Sequence, residues 1–143
     1  MNERAIPAYR SIKSVSGDAS YEIVEDLCQF VVDNKVLKCR PTSLISKLGL
    51  AMLPEVFVPY DSTVCEALRR SGHKIRKHFY VRYMMVVMAE KPAFVGMLAE
   101  KGLSAIRLGA GDMSQRLFEM RALDKRLMLK GGFSPKAMAR DLE

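Results

Sequence analysis

Apolar residues return at three- and four-residue spacing through most of this chain, and proline or glycine interrupts them at short intervals. That combination restricts the fold to short amphipathic helices, because a period near 3.6 keeps apolar side chains on one helical face, whereas a strand needs period two. The first segment is opened by Asp18 and carries Val24, Leu27, Cys28 and Val31 on one side and Glu22, Glu25, Asp26 and Asp33 on the other. After Pro41, Thr42 or Ser43 can cap a second helix whose apolar face holds Leu44, Ile45, Leu48, Ala51 and Met52, until Pro54 stops it. Val56, Phe57 and Val58 lie between Pro54 and Pro59 and are too few for a helix, so an extended connector packed on the core is expected.

Asp61 precedes Ser62-Thr63-Val64-Cys65 and is placed to cap a third helix with Val64, Cys65 and Leu68 inside, which Ser71-Gly72 breaks. The spacing predicts a fourth helix from His73 to Ala89 whose second half is the most buried part of the chain. Lys91-Pro92 restarts a fifth that Gly102 closes. Asp112, with Gln115 three residues on, caps a sixth with Met113, Leu117, Met120, Leu123 and Leu127 in its stripe, and Ser134-Pro135 begins a short last one. The expected fold is all-α, an irregular orthogonal bundle of six to seven short helices in one domain over residues 1–143, with 1–17 and 133–143 as less ordered arms.

The chain is 49% apolar and 27% charged, which suits a folded core and not a disordered tail. The longest uninterrupted apolar run, Met84 to Ala89, is six residues. A membrane span needs roughly 18 or more, so no membrane partner is expected. The opening residues have no apolar stretch leading to a small-residue cleavage site, and a cytoplasmic location is expected. Cys28, Cys39 and Cys65 are odd in number, with no CxxC pair, and read as reduced thiols, with Cys28 and Cys65 packed as small hydrophobes.

The net charge of +7 is concentrated. Residues 67–89 hold six Lys and Arg and no acid, whereas residues 1–66 are slightly acidic with seven Lys and Arg against nine Asp and Glu. Arg69, Arg70, His73, Lys74, Arg76 and Lys77 crowd the Ser71-Gly72 turn, with His78 and Arg82 just beyond. Cations beside exposed turn amides make a surface for phosphates, since each neutralised phosphate releases counterions. The same cations can equally form a solvated face or pair with acidic helices. Phe79, Tyr80 and Tyr83 are read as packing residues and not as base-stacking ones.

Recognisable catalytic chemistry is sparse. His73 and His78 are five apart and do not share a helical face, so no metal and no cofactor is expected. No phosphate-binding or dinucleotide glycine loop and no nucleophile elbow occurs, and Gly109-Ala110-Gly111-Asp112 reads as a turn leading into a helix. Met84, Met85 and Met88 fit core filling better than an adaptable groove.

One stretch, Ser46-Lys47-Leu48-Gly49-Leu50-Ala51-Met52-Leu53-Pro54-Glu55-Val56-Phe57-Val58-Pro59-Tyr60-Asp61-Ser62-Thr63-Val64, resembles the helical core of helix-hairpin-helix DNA glycosylases. In that family a buried helix, an apolar connector and a proline lead to an aspartate that assists loss of a flipped base. The resemblance would make Asp61 the catalytic acid and the basic turn part of the DNA surface. The family's Leu-Pro-Gly-Val-Gly hairpin is missing, with Cys39-Arg40-Pro41-Thr42-Ser43 in its place, and Lys47 is the lysine within the helix that precedes Asp61. The leading expectation is a nucleic-acid- or polyanion-binding helical protein; the alternatives are a module for an acidic protein partner or self-assembly, and a small base-excision enzyme.

Overall fold

A computed structural model describes residues 21–109 and 111–132, and every regular element among them is an α-helix. The helices are α1 (Glu22–Asp33), α2 (Thr42–Met52), α3 (Ser62–Arg70), α4 (Tyr80–Glu100) and α5 (Gln115–Lys130). The terminal arms at 1–17 and 133–143, the helix start at Asp18 and the helix expected from Ser134 lie outside the described residues.

The chain groups into two units, and each is discontinuous in sequence. One takes the described part of Met1–Tyr60 together with Arg76–Met84, and the other takes Asp61–Ile75 with the described part of Met85–Glu143.

In the first unit α1 packs on α2 through Val24 and Cys28, both buried. The connector after Pro54 has no strand partner and inserts Phe57 and Val58, as the sequence predicts. Phe57 stacks on Tyr80 and takes the edge of Tyr21. Burying a ring of this size contributes roughly 1.5–3 kcal/mol. Two tyrosines tie the connector down by their hydroxyls: Tyr80 donates to Val58 O (2.6 Å) and Tyr83 donates to Pro59 O (2.7 Å).

Helix α2 inverts the expected face. Thr42, Ser46 and Gly49 are buried, while Leu44 and Leu48 are 63% and 42% exposed. Small and polar residues face inward because each meets something a leucine would displace. Ser46 Oγ accepts the buried Tyr60 N–H at 2.8 Å, and a Cβ on Gly49 would lie 3.1 Å from Phe57 Cγ. Neither Thr42 nor Ser43 caps the helix by its side chain, and Pro41 stands at the N-cap.

In the second unit α3 packs on α5. The α3 stripe of Val64, Cys65 and Leu68 is buried as expected, and so are Met120, Leu123 and Leu127 of α5. The approach is close at the end of α5, where a Cβ on Gly131 would fall inside the van der Waals envelope of Thr63 O. Three expectations fail. The fourth and fifth helices merge into α4, with Pro92 inside it, which leaves five helices among the described residues. Pro92 is exposed, so water can serve the carbonyl that its missing N–H leaves without a donor. Helix α4 begins at Tyr80 and not at His73, because His78 has φ +64°, a left-handed conformation that cannot continue a right-handed helix. Asp112 does not cap α5: Ser114 Oγ accepts Leu117 N–H, and Gln115 turns its carbonyl oxygen to Ala105 N–H.

Candidate polyanion site

The basic stretch divides at the Ile75–Arg76 bond, with one part in each unit. In the second unit α3 closes in a Schellman turn: Gly72 at φ +90° donates to Arg69 O, and His73 N–H donates to Leu68 O. Only glycine takes that φ without strain, so the Ser71-Gly72 break is explained locally. Arg69 and Arg70 occupy the last turn, where cations complement the helix dipole, and both reach Glu66, at 3.8 and 3.2 Å. Such exposed pairs contribute about 0–1 kcal/mol each. His73 Nε2 lies 3.2 Å from Glu90 Oε1. Lys74 is exposed, and no described carboxylate lies within 4.0 Å of its ammonium.

In the first unit Arg76 and Lys77 are exposed and likewise have no described carboxylate within 4.0 Å. The Arg76 guanidinium stands over the Phe79 ring, 5.8 Å from its centre, and Phe79 is 45% exposed. Tyr80 and Tyr83 are fully buried and belong to the core. Lys74, Arg76 and Lys77 lie outside any helix, contrary to the expected placement at a helix N-terminus, since α4 starts later. The first turn of α4 is served instead by Glu25 of α1, whose Oε1 accepts Val81 N–H at 2.9 Å.

His78 is the most constrained side chain of this stretch. Its backbone N–H donates to Tyr60 Oη at 2.9 Å, its ring stacks on the Tyr60 ring with centres 6.1 Å apart, and Nδ1 lies 3.3 Å from Thr42 Oγ1. Thr42 Oγ1 also meets the Cys28 thiol at 3.9 Å. Burial pushes the Cys28 thiol above its usual range, against the opposing Thr42 hydrogen bond and the Arg40 charge, so it sits there as a neutral S–H.

Asp61 belongs to the second unit and caps α3: its Oδ1 accepts Thr63 N–H at 2.7 Å and Val64 N–H at 3.4 Å. Asp124 of α5, which no sequence signal singled out, is buried with Oδ1 lacking any described hydrogen bond. Desolvation raises its carboxyl pKa, Lys125 and Arg121 oppose the shift, and the Asp61 charge adds to it. Among the described residues no group of three or more His, Cys, Asp and Glu could hold a metal ion, and no helix is long and apolar enough to cross a membrane.

Sequence reasoning included His73 in the site and left His78 outside it. The pairing of Glu66 with Arg69 and Arg70 was legible from three- and four-residue spacing; that of His73 with Glu90, across 17 residues, was not. No protein family matches the sequence, and no curated protein and no solved structure matches it.

Proposed function

We propose that the protein contacts nucleic acid through the phosphate backbone, using the cations between the end of α3 and the start of α4. One observation carries the reading: Lys74 in the second unit, and Arg76 and Lys77 in the first, fall within four residues of sequence and are each exposed, with no described carboxylate within ion-pair distance. Uncompensated like charges a few residues apart repel, and a polyanion relieves that repulsion while releasing its own counterions. Arg69 and Arg70, shared with Glu66, are weaker contributors until the phosphate displaces that carboxylate. All three cysteines are thiols, which supports a reducing, cytoplasmic setting.

A salt titration of binding to a generic DNA duplex tests the reading. Binding detectable at ~50 mM salt that weakens steeply by ~200 mM is expected. Replacing Lys74, Arg76 and Lys77 together with Gln should lower the slope of log K against log salt by about one unit per lost contact. Binding that is absent at low salt, or indifferent to salt, refutes it.

The extension to a small base-excision enzyme assigns the acid role to Asp61. Both its hydrogen bonds already serve the α3 N-terminus, and the cap by itself accounts for an aspartate there. If Asp61→Asn leaves measured base release unchanged, the catalytic role falls. A second reading, an assembly module, is favoured by Leu44 and Leu48, which lie exposed one turn apart on α2. Light scattering decides it: a monodisperse monomer unaffected by Leu44→Ser and Leu48→Ser counts against it.

A further inference from the structure

Three side chains of the first unit form a hydrogen-bonded line that ends on the half-buried ring of His78. Cys28 is 1% exposed, and as a neutral thiol it donates to Thr42 Oγ1. Thr42 is also 1% exposed, so its own hydroxyl proton has one described acceptor within reach, His78 Nδ1 at 3.3 Å. A ring that accepts at Nδ1 carries its proton at Nε2. Nε2 has no described hydrogen-bond partner, and His78 is half-buried, so the residue is not closed off from solvent. The His78 ring is thus held by Thr42 on one edge and Tyr60 on one face, which leaves its Nε2–H to a ligand.

The backbone is fixed with equal care. A non-glycine residue at φ +64° is strained, and the Tyr60 hydroxyl accepts His78 N–H in that conformation. Buried and strained contacts of this kind give up stability to set one ring. The two residues before it, Arg76 and Lys77, are exposed cations of the same unit. The first turn of α4 is not the anion site, because Glu25 already occupies the Val81 amide.

From this arrangement we propose that His78 is a preset phosphate ligand, its Nε2–H donating to a non-bridging phosphate oxygen that Arg76 and Lys77 neutralise, with Thr42 as the positioning residue. The proposal rests on the nucleic-acid reading given above and assigns it a specific, oriented donor. The cations supply attraction that is indifferent to direction, and the imidazole supplies the geometry.

The test uses the full chain, a short generic duplex and inorganic pyrophosphate as separate probes. Imidazole ¹⁵N resonances of His78 are followed together with those of His73, whose Nε2 is engaged by Glu90. The expected result is a saturable displacement of the His78 Nε2 signal, larger than that of His73, with the Nε2–H tautomer dominant in the free protein. His78→Asn keeps a side chain that tolerates the left-handed region, and His78→Gly relieves it altogether; both should bind the duplex about fivefold more weakly at unchanged salt slope. Thr42→Val should weaken binding about threefold and broaden or shift the free His78 ring signals, which a merely structural loss elsewhere in α2 would not do. Duplex binding by both His78 variants equal to wild type overturns the proposal and leaves the cation reading intact. No duplex binding by wild type, with a saturable Nε2 shift on pyrophosphate, removes the nucleic-acid reading and supports the phosphate site. No response of Nε2 to either probe removes the proposed site.

Discussion

Alanine placed at two glycines of the second unit should move stability in opposite directions. Gly96 lies inside α4, exposed, with nothing within 4 Å of the point a methyl group would occupy, so Gly96→Ala adds helix propensity and nothing else. That gain is about 0.8–1 kcal/mol. Gly131 follows α5 at φ −73° and ψ −6°, a conformation alanine adopts freely, so on backbone grounds it too should gain. A Cβ there would instead overlap Thr63 O and stand 2.7 Å from Thr63 Cγ2, both on the first turn of α3. The colliding atom is backbone, so the ends of α3 and α5 must separate, and overpacking of this kind costs about 1–3 kcal/mol. Thermal melts followed by circular dichroism should therefore show Gly96→Ala raised by roughly 3 °C and Gly131→Ala lowered by roughly 3–9 °C, at about 2–4 °C per kcal/mol for a chain near this size. A rise in both would refute the close approach of α5 to α3 on which the second unit's packing rests.

Four further outcomes follow from individual side chains. Asp124 has a folded-state pKa raised by burial above the ordinary carboxyl value, so the native state binds this proton more tightly than the unfolded chain. Its penalty is absent below the unfolded pKa, near 4, and complete above the folded one; Asp124→Asn should raise the urea midpoint at pH 7, with the gain shrinking as pH falls toward 4. Ser46→Ala should cost about 1–3 kcal/mol by removing the hydroxyl that accepts the buried Tyr60 N–H, whereas Leu44→Ser on the same helix should change stability by less than about 0.5 kcal/mol in urea melts. Asp61→Ala should cost about 1 kcal/mol through the lost cap, read in the same melts, and Asp61→Asn much less. With an aromatic disulfide reagent the native protein should show one fast thiol, the exposed Cys39, and all three only in urea, since Cys28 and Cys65 are 1% exposed.

What the sequence announced was local. Asp61 before Ser62-Thr63 is a cap within three residues of the amides it serves, and Ser71-Gly72 supplies the left-handed turn that ends α3. The stripes of α1, α3 and α5 were legible because their inward residues are apolar at helical spacing. The inward face of α2 was hidden for the opposite reason: Thr42, Ser46 and Gly49 are small or polar, and what makes them suitable lies elsewhere in the chain, at Phe57, Tyr60 and His78. Pro92 misled because a proline that restarts a helix and one carried on an exposed face look alike in sequence. His78 was counted among the charges of its window, but its φ and its hydrogen bond to Thr42, 36 residues away, come only with the fold.

The discontinuous make-up of the two units bears on the order in which the chain can be completed during synthesis. Phe57, Val58 and Pro59 emerge from the ribosome well before Tyr80 and Tyr83, yet those two rings cover the connector and take up its carbonyls. Until they emerge, the aromatic cluster of the first unit lacks one wall, and the intervening α3, which belongs to the other unit, has already been made. A cut placed after Tyr60, where a contiguous reading of the chain would set a boundary, therefore yields an N-terminal fragment in which Phe57 lacks the Tyr80 ring that stacks on it, and apolar surface exposed in this way favours aggregation.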